Sequence, residues 1–85
     1  MKKIVQRTRG FEKAFGKLFI KKLHIFIDDE FSPSLKTHRL KGKRKNEYSF
    51  SVTDDIRAIY TKRKEKEKEI LIFTFIDVGA HSKVY

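Results

Sequence analysis

The sequence predicts an α+β domain, in which an N-terminal strand and a helical segment pack on one face of a small, mainly antiparallel twisted sheet. Two observations carry this prediction. Apolar residues recur at spacings of three and four between residues 10 and 30, as on one face of a helix. Residues 48–61 instead alternate between apolar and polar side chains, as expected of strands. With 85 residues in all, we expect one domain covering 1–85.

The N-terminal part of the chain predicts the strand and the helical segment in turn. Ile4 and Val5 indicate a short edge strand within residues 3–8. The helical segment of residues 10–30 carries lysines on the side opposite its apolar stripe. Gly16 and a shift in the apolar phase leave open whether it is one long helix or a bent pair. Pro33 ends any helix before it, since the residue preceding a proline is disfavoured in helical conformation.

Two strands, residues 48–53 and 56–61, predict a hairpin whose register depends on its turn. A two-residue turn would place Val52 opposite Arg57 and mix core with charge. A three-residue loop or a bulge instead gathers the apolar side chains on one face: Phe50, Val52, Ala58 and Tyr60. We prefer that register, which puts Arg57 on the solvent-exposed face of the sheet.

The remaining segments predict a hairpin tip and a central strand. Residues 62–69 alternate in charge and indicate a solvated tip. Residues 70–76 are apolar on both faces, as in a strand with neighbours on either side, and Gly79 is expected to end it.

Composition narrows the class of protein. Lysine and arginine number 21 against 11 acidic residues, for a formal charge of +10, so the surface is expected to attract polyanions. The aromatic content of 13% favours a folded domain over a basic tail. Cysteine is absent, which excludes disulfides and thiolate metal sites. The longest apolar run, residues 70–76, is too short to span a bilayer, so we expect a cytoplasmic protein without a membrane partner.

A cluster of basic residues lies between the helical segment and the hairpin. Residues 36–45 contain no acid and are expected to form an exposed loop that binds RNA. The six basic side chains are Lys36, Arg39, Lys41, Lys43, Arg44 and Lys45.

Three pieces of the second half, taken in order, resemble a known family. They are Leu-Lys-Thr-His-Arg-Leu-Lys-Gly at 35–42, Tyr-Ser-Phe-Ser-Val-Thr-Asp-Asp-Ile-Arg-Ala-Ile-Tyr at 48–60 and Asp-Val-Gly-Ala-His-Ser-Lys-Val-Tyr at 77–85. Each piece alone is weakly specific, but their order and spacing resemble the RelE/ParE superfamily of toxins from type II toxin–antitoxin systems, closest to its YafQ-like and RelE-like branch. The resemblance implies a ribosome-dependent endoribonuclease that cleaves mRNA without a metal ion or cofactor. It also implies a cognate antitoxin as partner, besides the ribosome and mRNA, and we expect the free protein to be a monomer.

The resemblance also implies roles for individual residues. His38 would be the general base or a substrate-positioning group, and His81 the general acid or a group that orients the phosphate. Arg57 matches the arginine that neutralises the scissile phosphate, and Tyr85 the terminal aromatic residue that stacks on a base or supports the site. Asp55 lies where YafQ-like toxins place an acidic residue.

One departure from the family pattern affects this assignment. YafQ-like members have a further histidine in the strand before the Asp-Asp turn, where this chain has Ser51 or Val52. Activity then depends more on Arg57 and lysines, as in RelE-like members, and the identity of the general base stays open.

Simpler interpretations compete with the catalytic one. The histidines in the polar segments are also explained as surface residues, and His24, among apolar neighbours, as a structural residue. A ParE-like inhibitor of DNA gyrase and a non-catalytic RNA-binding homologue remain alternative functions. The spacing of histidines and acids gives no metal site. We expect an apolar groove for the antitoxin beside the helical segment, where Phe15, Phe19 or Phe26 would be partly uncovered.

Overall fold

A five-stranded sheet with one α-helix on it forms the part of the chain that the structure, a computed structural model, describes: residues 2–7 and 16–80. The elements are β1 (Lys2–Arg7), α1 (Gly16–Asp28), β2 (His38–Arg39), β3 (Tyr48–Ser51), β4 (Ile56–Glu65) and β5 (Ile70–Ala80). The strands lie in the order β1-β5-β4-β3-β2, with β1 parallel to β5 and every other neighbouring pair antiparallel. This confirms the predicted α+β class and the edge position of β1.

Helix α1 packs on one face of the sheet through a cluster of aromatic rings. Phe26 is fully buried at its centre, because the apolar stripe of the helix faces the sheet. Its ring lies 4.7–5.6 Å, between centroids, from those of Phe50, Tyr60, Phe73 and Phe75. The helix was predicted within residues 10–30. Its described part ends at Asp28, before Pro33, and residues 10–15 lie outside the described ranges.

The hairpin between β3 and β4 has the predicted register. Phe50 lies opposite Ala58 and Tyr48 opposite Tyr60. The backbone N–H of Val52 donates to the carbonyl of Ile56 at 2.9 Å, which leaves the three residues 53–55 as the loop. The side chains of Phe50, Ala58 and Tyr60 therefore share the face that α1 covers.

The boundaries of the second hairpin were predicted incorrectly. Strand β4 continues to Glu65, which lies opposite Ile70, so the tip is only residues 66–69. Strand β5 also continues through Gly79, which lies opposite Arg57. Ladder hydrogen bonds depend on backbone groups, so a strand extends into a charged segment where a partner strand is available.

The face of the sheet turned away from α1 is less exposed than predicted. Ser49 and Ile59 are fully buried and Ser51 is 8% exposed. Ser49 lies directly between His38 on β2 and Ile59 on β4, and this explains the error: a short side chain between two larger neighbours on one face is shielded from water.

Candidate functional site

A short turn after the helix positions His38. A 3-10 turn at Pro33–Leu35 buries Leu35 in the core, and Lys36 then adopts a left-handed conformation with φ of 52°. The hydroxyl of Thr37 donates to the carbonyl of Glu30 at 2.6 Å. These contacts fix the entry into β2, where His38 is exposed and its Nδ1 lies 3.2 Å from the carbonyl oxygen of Lys36.

Arg57 closes the loop between β3 and β4. Its Nη1 donates to the carbonyl oxygens of Thr53 and Asp54, both at 2.8 Å. Asp55 lies exposed in the same loop, with its backbone N–H 3.3 Å from the hydroxyl oxygen of Thr53. Within the described ranges Arg57 forms no ion pair with either aspartate carboxylate, so it bonds the loop through backbone oxygens.

The register of the sheet places His38 and Arg57 on one face, the one turned away from α1. His38 lies opposite Ser49, Ser49 opposite Ile59, and Arg57 is two residues before Ile59 on β4. Directly opposed residues and residues two apart along a strand share a face. Two strand spacings and two residue rises separate the Cα atoms of His38 and Arg57 by roughly 12 Å.

The remaining two predicted catalytic residues, His81 and Tyr85, lie outside the described residues. The last described part of β5 passes next to Arg57, since Gly79 is its partner in the ladder. His81 and Tyr85 therefore stay predictions.

The six residues of the basic segment are not equivalent. Arg44 forms an ion pair with Glu47 at 2.7 Å, and the Nε of Arg39 donates to the carbonyl of Lys45. Gly42 has φ of 69°, a conformation that favours glycine, and it begins a second 3-10 turn at Gly42–Arg44. The prediction of a single loop over residues 36–45 was wrong, because the segment contains strand β2 and a 3-10 turn, joined by ordered connections. By strand alternation Arg39 points to the opposite face of the sheet from His38.

A buried polar contact that the sequence did not predict joins the end of α1 to β4. The Tyr60 hydroxyl donates to the Glu30 carboxylate at 2.6 Å, and the Lys62 ammonium lies 3.0 Å from the same oxygen. Burial raises the pKa of Tyr60 far above its usual range, and the hydrogen bond to Glu30 raises it further. Tyr60 and Lys62 stand two residues apart, so period-two alternation is the signal that places them on one face.

The described residues line hollows on the helix side of the sheet. One of about 470 Å³ lies between α1 and β1 and is lined by Val5, Leu23, His24, Ile27 and Asp28. Another, of about 480 Å³, is lined by Arg39, Asn46, Tyr48, Lys62, Lys64 and Leu71. The first lies beside the helix, where a groove was expected.

Of the aromatic side chains expected to be partly uncovered beside the helix, Phe26 is fully buried, because the sheet occupies its side of the helix. Phe19 packs against the core but stays partly exposed, and neither ring lines the hollow between α1 and β1. Phe15 lies outside the described residues. Among residues 2–7 and 16–80, the exposed large apolar side chains are Leu18, Ile20 and Phe31, at 49%, 55% and 56%. His24, expected to be structural, is exposed on α1.

The described residues contain neither a metal-binding cluster nor a membrane-spanning helix. Residues 2–7 and 16–80 contain no group of three or more histidine, aspartate or glutamate side chains that could hold a metal ion. The described part of α1 has 13 residues, and no helix among the described residues is both long enough and apolar enough to cross a membrane.

Solved structures with the same fold are bacterial toxins. YafQ from Escherichia coli aligns over 99% of both chains with a TM-score of 0.75 and 14% identity. A YoeB/ParE toxin from Agrobacterium tumefaciens covers 95% of this chain and 99% of its own, with a TM-score of 0.71 and 15% identity. A copper-bound mutant toxin from Helicobacter pylori covers 96% and 98%, with a TM-score of 0.66 and 22% identity. YafQ has also been solved in the DinJ-YafQ toxin-antitoxin complex.

The described part of the chain thus has the α+β fold of RelE-like toxins. The likeness in fold to YafQ and to the YoeB/ParE toxin extends over nearly the whole chain. No protein-family model and no curated protein sequence matches the chain.

Proposed function

We propose that this protein is the toxin of a type II toxin–antitoxin system, a ribosome-dependent and metal-independent endoribonuclease that cleaves mRNA in the cytoplasm and so inhibits translation. One observation carries the proposal: His38 and Arg57 lie on the same face of the sheet, turned away from α1, in a chain of charge +10 with the fold of YafQ.

The reaction needs three groups. A base removes the proton of the substrate 2′-hydroxyl, whose oxygen then attacks the adjacent phosphorus. A cation stabilises the negative charge that grows on the phosphoryl oxygens. An acid protonates the 5′-oxygen as its bond to phosphorus breaks, which leaves a 2′,3′-cyclic phosphate and a free 5′-hydroxyl.

We assign these roles to the residues of the site. His38 is the base or positions the substrate, and His81 is the acid or orients the phosphate. Arg57 stabilises the phosphate; the loop carbonyls hold its Nη1, which limits the reorganisation needed when charge develops. Tyr85 stacks on a base, and Asp55 in the adjoining loop supports the site.

The basic segment and the partners complete the proposal. Its cations bind the phosphate backbone of RNA on the ribosome: Lys36, Arg39, Lys41, Lys43, Arg44 and Lys45. The neighbour YafQ forms a complex with an antitoxin, and we propose that an antitoxin likewise binds and silences this chain.

Cleavage of mRNA on programmed ribosomes by the purified full chain tests the proposal. We expect Arg57→Ala to lower the cleavage rate by about 10²–10³-fold, the typical loss for a group that stabilises developing charge. Arg63→Ala is its matched control. Arg63 lies on the same strand and the same face as Arg57, six residues further along, and its side chain is 70% exposed. We expect that control to cleave at the wild-type rate.

The histidines are tested in the same assay. His38→Ala and His81→Ala are each expected to slow cleavage by about 10²–10⁴-fold, the range for loss of a general acid or base. His24→Ala, on the exposed side of α1, is the histidine control. Equal cleavage by Arg57→Ala and both site-histidine variants would refute the catalytic assignment, and no cleavage by the wild type would direct attention to inhibition of gyrase in a DNA supercoiling assay.

A further inference from the structure

A cationic hollow lies on the helix side of the sheet, where α1 no longer covers it. The helix ends at Asp28, whereas β4 continues to Glu65 and β5 begins at Ile70. The uncovered rows of the sheet form the floor of the hollow of about 480 Å³. It faces away from the side that carries His38 and Arg57, and Arg39 is the one proposed RNA-binding residue in its lining.

Three cations from two strands line this hollow, Arg39 on β2 and Lys62 and Lys64 on β4. Glu30 is 12% exposed, and its carboxylate is already bonded by Lys62 and Tyr60. Within residues 2–7 and 16–80, neither Arg39 nor Lys64 forms an ion pair. The hollow therefore retains excess positive charge at its rim.

The floor of the hollow is apolar. Leu71 and Tyr48 are each partly exposed within it, and Phe31 at its border is 56% exposed. The Lys62 ammonium lies 5.0 Å from the Phe31 ring centroid. A cationic rim over an apolar floor complements a ligand that carries both carboxylates and apolar side chains.

The aromatic ring in the hollow is poorly placed to bind RNA bases. Proteins that bind single-stranded RNA stack bases on open aromatic faces. The Tyr48 ring stacks on Tyr60, with centroids 5.5 Å apart and an interplanar angle of 19°. The Lys62 ammonium lies 4.6 Å over the Tyr48 ring as well, so that ring already has a ring and a cation as neighbours. A peptide suits this surface better than a nucleic acid.

We propose that the cationic hollow binds an acidic amphipathic segment of a partner protein, with carboxylates at Arg39 and Lys64 and apolar side chains on Leu71 and Phe31. That this partner is the antitoxin rests on the proposed function. Binding here engages the face of the sheet opposite to His38 and Arg57.

Fluorescence anisotropy with the full chain tests this site. The probe is a short labelled peptide of glutamates with interspersed leucines. We expect Lys64→Glu to weaken its binding about tenfold, since reversing a charge beside a bound carboxylate alters both attraction and repulsion. Lys68→Glu makes the same change in net charge at the exposed hairpin tip and is expected to alter the dissociation constant less than about twofold.

Two further measurements test whether the peptide makes apolar contacts in the hollow and whether RNA binds there, as opposed to non-specific electrostatic attraction. A peptide of glutamate alone is expected to bind more weakly than the mixed peptide, and the mixed peptide is expected to shift the amide resonances of Tyr48, Lys64 and Leu71. Equal weakening by Lys64→Glu and Lys68→Glu would overturn the site. So would displacement of the peptide by oligouridylate with the same dependence on Lys64, which would make the hollow an RNA contact.

The ribonuclease proposal and the peptide-binding proposal can be refuted independently, because different variants test them. Lys64→Glu is expected to lose peptide binding while it cleaves mRNA at the wild-type rate, and Arg57→Ala to bind the peptide normally. Peptide binding with the expected dependence on Lys64, in a protein that cleaves no mRNA, would support the hollow and refute only the ribonuclease.

Discussion

Replacement of Glu30 by alanine tests how the end of α1 is held against the sheet. The change leaves the buried Tyr60 hydroxyl without its acceptor, and an unsatisfied buried polar group costs about 1–3 kcal/mol. It also removes the counter-charge of Lys62. That side chain is 26% exposed, so we assign this loss only about 1 kcal/mol. We therefore expect Glu30→Ala to lower the free energy of unfolding by about 2–4 kcal/mol.

That loss is large against the total. A chain of 85 residues has an unfolding free energy of about 4–13 kcal/mol at typical stability per residue. Urea unfolding measures the change, provided that the slope against denaturant stays the same. Glu67→Ala, on the exposed hairpin tip, is the matched control and is expected to cost less than about 0.5 kcal/mol.

A double-mutant cycle isolates the hydrogen bond between Glu30 and Tyr60. In a Tyr60→Phe background no hydroxyl is left unpaired, so Glu30→Ala should cost at least about 1 kcal/mol less than in the wild type. Equal costs in the two backgrounds would refute the argument that the buried hydroxyl carries the effect.

Two further predictions concern the same core. Phe26→Ala removes a fully buried ring that contacts four others, and urea unfolding should show a loss of about 3–5 kcal/mol, whereas Leu18→Ala, 49% exposed on the same helix, should cost less than about 1 kcal/mol. Equal losses would contradict the placement of the helix. The raised pKa of Tyr60 keeps its hydroxyl protonated in the folded state while the unfolded chain ionises near pH 10, so this contribution to stability is complete below that pH and declines above it. Unfolding measured from pH 8 to 11 should show a decline that Tyr60→Phe reduces; an unchanged decline would assign it to other groups.

The periodicity of apolar residues within short segments was sufficient to predict α1 and the hairpin of β3 and β4. Alternation in residues 48–61 was enough to fix the register of β3 on β4, because a slip by one residue would have turned Val52 toward Arg57. The stripe of residues three and four apart similarly predicted α1, whose Phe26 lies at the centre of the core.

Properties that depend on neighbouring strands were not predictable in this way. Residues 62–65 were predicted as part of the hairpin tip, because charged residues in sequence show no apolar alternation. They form part of strand β4 because they pair with β5. Burial of Ser49 depends on which side chains flank it across the sheet. The family resemblance indicated His38 and Arg57 as site residues. That they share a face of the sheet could not be predicted, because it depends on the strand order, which no local pattern encodes.

The parallel pairing of β1 with β5 has a consequence for how the protein reaches its folded state. Lys2 is the partner of Ile70, which lies 68 positions further along the chain. Contacts this distant in sequence form slowly, because the entropy of closing a long loop must be overcome first. On a translating ribosome β1 cannot pair until residues 70–75 are available, and these are synthesised after the segments of α1 and β3. Completion of the sheet, and with it any activity that needs the whole sheet, is therefore set by the arrival of β5.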